Sequence, residues 1–140
     1  ITATHYYIDA LAMYMVLDPG QFQVIVTNNL FGDIITDLGA TFQGGLGMAA
    51  SGNLHPGKTS MFEPVHGSAP KFAGKNIANP IGAIASVALM LETSGLADEA
   101  AAIDAAILKA VRERQVTQDV GGTLGTREAG DFIAEAVRGS

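Results

Sequence analysis

The 140-residue sequence contains no cysteine. That excludes a disulfide framework, thiol catalysis and thiolate zinc sites, and it fits the reducing cytoplasm, the compartment expected for this chain. Cations are scarce: 8 Lys and Arg stand against 14 Asp and Glu, the formal net charge is −6, and neither Lys nor Arg forms a run. Nucleic acid is therefore not an expected partner, because phosphate binding needs a basic footprint. No apolar run reaches the roughly 20 residues of a membrane-spanning helix, so no membrane partner is expected either. No signal-peptide pattern opens the chain. Two nucleotide signatures are also missing, G-x-G-x-x-G after a strand and G-x-x-x-x-G-K-[ST], so neither common nucleotide fold is signalled. The chain lacks an initiator Met, and "ITATHYYID" starts as a β-prone run in mid-fold. The expectation is a fragment of a longer protein.

What is present is 48% hydrophobic residues, enough for a substantial core in one ordinary domain or in pieces of two. Residues 7–17, rich in Ala, Leu and Met, read as a helix stopped by "DPG". "FQVIVT", residues 22–27, reads as a buried strand. Asn28 or Asn29 can cap a helix over residues 30–40, with Asp33 near its positive dipole end. Residues 44–80 turn to Gly, Pro and Ser. "SMFEPV" offers a short strand there, and the interleaved Phe62, Val65, Phe72 and Ile77 argue for order in so long a loop region. "IGAIASVALMLETSG", opened by Pro80 and closed by Gly95, reads as a buried helix. The spacing of Ala102, Ile103, Ala106, Ile107, Ala110 and Val111 predicts an amphipathic helix over residues 98–114. Beyond a glycine-rich turn at "DVGGTLGT", a last helix runs from Thr126, whose hydroxyl can cap it, to Val137.

Two stretches carry candidate chemistry. "NLFGDIITDLGA" places Asp33 and Asp37 one helical turn apart, on the same face. Such a pair is either a solvated polar stripe or a site for a hard cation such as Mg²⁺ or Mn²⁺, which favours carboxylate oxygens. "EPVHGSAPKFAGKNIANP", residues 63–80, gathers Gly and Ser positions where backbone can approach a ligand, one His, two Lys and two Asn, with prolines stiffening its ends. Its N–H groups can meet phosphate oxygens, and His66 can stack on a base or bond to it. The alternative for His66 is a structural histidine, and for Lys71 and Lys75 a solvated surface charge.

In this order and spacing, "NLFGDIITDL", "FEPVHGSAP" and "AGKNIANP" resemble the C-terminal part of the isocitrate/isopropylmalate family of β-decarboxylating dehydrogenases, over essentially the whole chain. The resemblance implies that family's α/β fold, which is not a Rossmann fold. Residues 1–44 would be part of a smaller dimerising, metal-binding domain and residues 45–140 the C-terminal part of a larger cofactor-binding domain. It implies Asp33 and Asp37 as ligands of Mg²⁺ or Mn²⁺, with Asp9 reaching the metal site of a partner subunit in an obligatory homodimer. Asn29 would lie beside the substrate or nicotinamide. Glu63, His66, Gly67, Ser68, Ala69, Lys71 and Asn79 would bind the dinucleotide, His66 and Asn79 meeting the adenine.

The activity implied is oxidative decarboxylation of a 2-hydroxy acid, 3-isopropylmalate to 2-oxoisocaproate in leucine biosynthesis, with isocitrate, homoisocitrate or tartrate as alternative substrates. The family's catalytic Lys and Tyr would lie upstream of Ile1, so the fragment alone is expected to be inactive. A non-catalytic regulatory module of the same fold is the competing reading, and the three aspartates with an intact "HGSAP" loop favour catalysis. One position departs from the NAD-type pattern: Lys71 stands where an Asp usually grips the ribose hydroxyls, as in NADP-using members. The Tyr and Arg that complete an NADP clamp fall at Gln118 and Gly122. With half the clamp missing, NAD is the expected cofactor and NADP the alternative.

Overall fold

A computed structural model describes residues 1–139. Five α-helices are joined by short 3-10 turns and one antiparallel two-stranded sheet: α1 (Ile8–Leu17), α2 (Asn29–Thr41), β1 (Ala50–Asn53), β2 (Met61–Pro64), α3 (Ile81–Thr93), α4 (Ala97–Arg112) and α5 (Thr126–Arg138). No described helix is long and apolar enough to cross a membrane.

The larger layer is built on α3, which packs against both strands on one side and against α4 on the other, with α5 laid along α4. Small residues make this close packing possible. Ala88, Ala106, Ala110 and Ala129 are all buried, so helix backbones approach where longer side chains would hold them apart. Ile81, Ile107, Val116 and Ile133 fill the space between the helices. The hairpin pairs Gly52 with Phe62, and a Cβ at Gly52 would stand 3.1 Å from that ring and 3.3 Å from the Leu89 side chain. A second, smaller cluster joins Leu11 and Met15 of α1 to Ile35 of α2. Tyr6 meets Tyr14 and Phe22 edge-on there, with ring centroids 5.6 and 5.7 Å apart.

The helices expected from periodicity form within one or two residues of their expected ends. Gly95 takes φ +85°, the left-handed conformation that ends α3. Three local expectations are corrected. Residues 22–27 form no strand: Val24 and Val26 are 82% and 92% exposed, and no described segment pairs with them. A strand needs a ladder partner, and apolar sequence alone does not supply one. Asn28, one of the two expected caps, does cap α2, its side-chain oxygen accepting from Phe31 N at 3.1 Å. What is corrected is Asp33, which this start puts in the second turn, beyond the reach of the strongest dipole effect. Thr126 does not cap α5: it sits one residue inside the helix, and its hydroxyl donates to the Ala78 carbonyl. Asn76, from a distant loop, supplies the cap instead.

Ile133 is 1% exposed at the centre of the larger cluster. Ile133→Ala should lower unfolding stability by about 2–5 kcal/mol and Ile133→Val by about 0.5–1.5 kcal/mol, through lost transfer energy plus a residual cavity. Urea midpoints at constant m measure this, and a shift below about 0.5 kcal/mol for the alanine variant would place the core elsewhere.

Candidate functional site

A cavity of about 1030 Å³ opens between the 3-10 turn at Leu46–Met48, the loop of residues 66–79 and residues 118–125. Four glycines line it, Gly47, Gly67, Gly122 and Gly125, and close approach explains three of them. A Cβ on Gly47 would lie 2.9 Å from both Asn79 Cβ and Asp119 Oδ2; on Gly122 it would strike the Val116 carbonyl, and on Gly125 the Asn76 amide. The loop also contains two residues in the left-handed region without being glycine, Ala69 at φ +37° and Asn76 at φ +55°. Each carries local backbone strain, of a kind that concentrates at functional sites.

Asn79 is buried, and both donors and the oxygen of its side chain are engaged. Oδ1 accepts from Ile81 N at 2.9 Å, while Nδ2 donates to Asp119 Oδ2 at 3.0 Å and to Met48 Sδ at 3.4 Å. Asp119 accepts a second bond at its other oxygen from the buried Thr117 hydroxyl, 2.6 Å away. Farther along, Asn76 Oδ1 accepts from Arg127 N at 3.0 Å and Nδ2 donates to Glu128 Oε2 at 2.8 Å, while the Asn76 carbonyl accepts from Thr126 N at 3.1 Å. His66 Nδ1 lies 2.9 Å from the Gly67 carbonyl. That bond requires the proton on Nδ1, which leaves Nε2 of the neutral ring as an acceptor.

A second recess of about 900 Å³ lies between α2 and β2, with Asp33 on one wall and Glu63 on the other. His66 and Gly67 line both recesses. Asn29 Nδ2 donates to Asp33 Oδ2 at 3.1 Å, and Asp33 and Asp37 are both exposed on the same face of α2. Asp9 is exposed on α1, with one oxygen accepting from Ala10 N at 2.8 Å. Among the described residues no three of His, Cys, Asp and Glu come together as a metal cluster.

The expected cofactor residues are thus divided. His66, Gly67, Ala69 and Asn79 line the larger cavity together with Gln118 and Gly122, whereas Glu63 faces the smaller one. Ser68 and Lys71 border neither. Lys71 is exposed, its ammonium 4.9 Å from the centre of the Phe72 ring. Asn76, Thr117 and Asp119 were missed by sequence reasoning. The one cue to Asn76 was Asn in a Gly- and Pro-rich loop, since Asn enters the left-handed region more readily than other residues with a Cβ.

The family model described as "Isocitrate/isopropylmalate dehydrogenase" matches residues 1–133. The chain belongs to the isocitrate/isopropylmalate dehydrogenase family. Among its relatives, the 3-isopropylmalate dehydrogenase of Nocardia farcinica is 53% identical over 139 residues, covering 98% of this chain and 40% of that protein. That of Methanothermobacter thermautotrophicus is 52% identical over 132 residues, covering 94% and 40%. Among solved structures, isocitrate dehydrogenase from Methylococcus capsulatus superposes with a TM-score of 0.83 at 44% identity, over 94% of this chain and 39% of that one. A β-decarboxylating dehydrogenase from Thermococcus kodakarensis gives 0.80 at 42%, with the same coverage. The fold is therefore the isocitrate/isopropylmalate dehydrogenase α/β fold, of which this chain is part. It spans about two fifths of the length of the curated relatives it matches.

Within this family member, Glu128 is the group whose ionisation is visibly biased. Its own backbone N–H and then the Asn76 amide hold its carboxyl below the ordinary value of 4.5 against an opposing desolvation, with smaller pulls from Arg127 and the Gly125 backbone. A depressed folded-state pKa contributes stability above the unfolded value, and that stability is lost as pH falls through the folded one. Glu128→Gln should therefore be less stable than wild type at neutral pH, with the gap closing below pH 4.5. Urea midpoints from pH 7 to 3 check this, and a pH-independent gap would refute it.

Proposed function

We propose that this chain is the metal- and dinucleotide-binding part of a β-decarboxylating dehydrogenase acting on 3-isopropylmalate with NAD, in leucine biosynthesis. The observation that carries the reading is the wall shared at His66–Gly67. It sets a recess holding Asp33 and Glu63 directly beside a cavity suited to an adenosine. A dinucleotide laid across that wall has its adenine end in the larger cavity and its reactive end beside Asp33. The relatives' names favour 3-isopropylmalate as substrate.

Each residue then has a task. In the larger cavity Gly67 and Ala69 offer backbone at close range, and His66 Nε2 accepts from an exocyclic amine. Asn79 shapes the floor with both N–H donors engaged, so any hydrogen bond it makes to the adenine is accepted at Oδ1. Asp33 and Asp37 supply two hard carboxylates for Mg²⁺ or Mn²⁺, fitting in kind and short in number. The balance falls to substrate, water and Asp9 of a partner subunit. Exposed apolar side chains on the two N-terminal helices, including Val16, Leu17, Leu30 and Ile34, support a homodimeric interface there. Asn29 holds Asp33 in place and stands next to the substrate. When bound, the metal polarises the substrate hydroxyl and carboxylate oxygens, and NAD accepts the hydride. Division of the chain near residue 44 into a dimerising and a cofactor-binding part is supported by the two separate apolar clusters. The absence of cysteine supports a cytoplasmic setting. The catalytic Lys and Tyr belong to the part of the relatives' length that this chain does not match.

In the complete dehydrogenase, Asp33→Asn should abolish turnover with Mn²⁺ while leaving the metal-free fold intact or slightly more stable, because a repelling charge is removed at constant shape. Melting with and without Mn²⁺ should show the metal-induced rise lost. An active variant, or an undiminished rise, would count against the assignment.

Lys71 is the second test. Its place outside the cavity supports NAD over NADP. Lys71→Asp should improve kcat/KM for NAD modestly and impair NADP use. The ceiling is one charge-assisted contact, about 1.5–3 kcal/mol or ten- to over a hundredfold. A wild-type preference for NADP that this substitution reverses would overturn the cofactor choice.

A further inference from the structure

Residues 76–78 and 122–125 both line the larger cavity, and the second segment runs directly into α5, so the opening depends on what ties residues 76–78 to the start of that helix. Four bonds do so, three of them on Asn76 and the fourth on Ala78. Asn76 Oδ1 takes the Arg127 N–H, Asn76 Nδ2 reaches Glu128 Oε2, the Asn76 carbonyl takes the Thr126 N–H, and the Thr126 hydroxyl donates to the Ala78 carbonyl. The fit is tight enough that any Cβ on Gly125 would displace the Asn76 amide. Asn76 also holds φ +55°, so the chain carries a strained residue where glycine would sit without strain. Strain retained in favour of a particular side chain marks that side chain as performing a task. Asn76 is exposed, so its bonds are not needed to satisfy a buried group.

We propose that Asn76 is a positioning residue for the adenosine end of the dinucleotide, clasping residues 76–78 to the start of α5 so that the cavity is shaped before ligand arrives. The inference rests on the dinucleotide reading above. Pre-organisation raises affinity by removing the ordering cost from the binding step. The clasp acts on binding and not on the reacting atoms, so its loss should appear in affinity. Asn76 touches no part of the recess that holds Asp33.

The test uses the complete dehydrogenase and titrates NAD and ADP-ribose. Asn76→Gly keeps the backbone conformation and deletes both side-chain bonds. It should weaken both ligands by the same factor, about tenfold or 1.4 kcal/mol, with kcat at saturating NAD changed less than twofold. Asn76→Asp keeps the bond to Arg127 N and sets two carboxylates against each other, so it should bind at least as weakly. Adding Glu128→Gln to Asn76→Asp restores a donor and should recover most of the affinity, which a role in stability alone would not require. If wild type binds both ligands and Asn76→Gly binds them equally well, or the double variant shows no recovery, the clasp is refuted. If wild type binds neither ligand, the dinucleotide reading itself fails and the clasp with it.

Discussion

The larger cavity depends on one buried amide and the three bonds it makes. Asn79 joins the loop to α3 through Ile81 N, to residues 117–119 through Asp119 and to the turn before β1 through Met48. Leaving a buried donor or acceptor without a partner costs about 1–3 kcal/mol, comparable to a sizeable share of a domain's whole stability. Three segments distant in sequence are therefore held at fixed separation around a single side chain. The constraint spreads outward from there. Gly47 has no room for a Cβ because Asn79 and Asp119 stand against it, and Asp119 keeps its orientation through the fully buried Thr117.

The same economy governs the loop's course. Between His66 and Asn79 the chain has no regular strand or helix beyond a short 3-10 turn at Pro70–Phe72, so its shape comes from reversals and from bonds to other segments. Ala69 and Asn76, both in the left-handed region, provide reversals on either side of that turn, and Gly74 at φ +73° provides a third. A loop with this many defined reversals is not a loose tether. No buried side-chain nitrogen or oxygen among the described residues lacks a hydrogen-bond partner, which fits a segment folded to one shape.

The helices were legible because their signals are local. The 3.6-residue spacing of Ala106, Ile107 and Ala110, and glycine at residue 95, act over a turn or two of chain. Residues 22–27 misled for the complementary reason: apolar and β-branched sequence says that a segment can be a strand, while pairing depends on a neighbour that no short window contains. The cap of α5 failed likewise. Thr126 is a good capping residue by type, but Asn76, 51 residues away in sequence from Arg127, occupies the capping role. At the candidate site, the motifs picked out His66, Gly67, Ala69 and Asn79, which do share a cavity. Lys71 belongs to the same motif and points to solvent, since adjacency in sequence does not fix the direction of a side chain in a turn. Asp119 and Asn76 were hidden because their importance lies in bonds spanning 40 and 51 or more residues.

The position of His66 follows from these constraints. Val65 N donates to the Ala49 carbonyl at 3.1 Å, extending the hairpin one bond beyond β2 and delivering His66 at its end. Behind it, the first turn of α3 comes so close that a Cβ on Gly82 would be 3.4 Å from the imidazole and 3.2 Å from the Ala49 carbonyl. The ring is thus backed by helix and hairpin and faces the two recesses. Any change that moves His66 alters both at once, so the two recesses cannot be reshaped separately at this residue. They can be reshaped separately at residues that line only one recess, Gln118 and Asn76 on one side and Glu63 on the other. A change at one of those outer positions therefore alters one recess and leaves the His66–Gly67 wall in place.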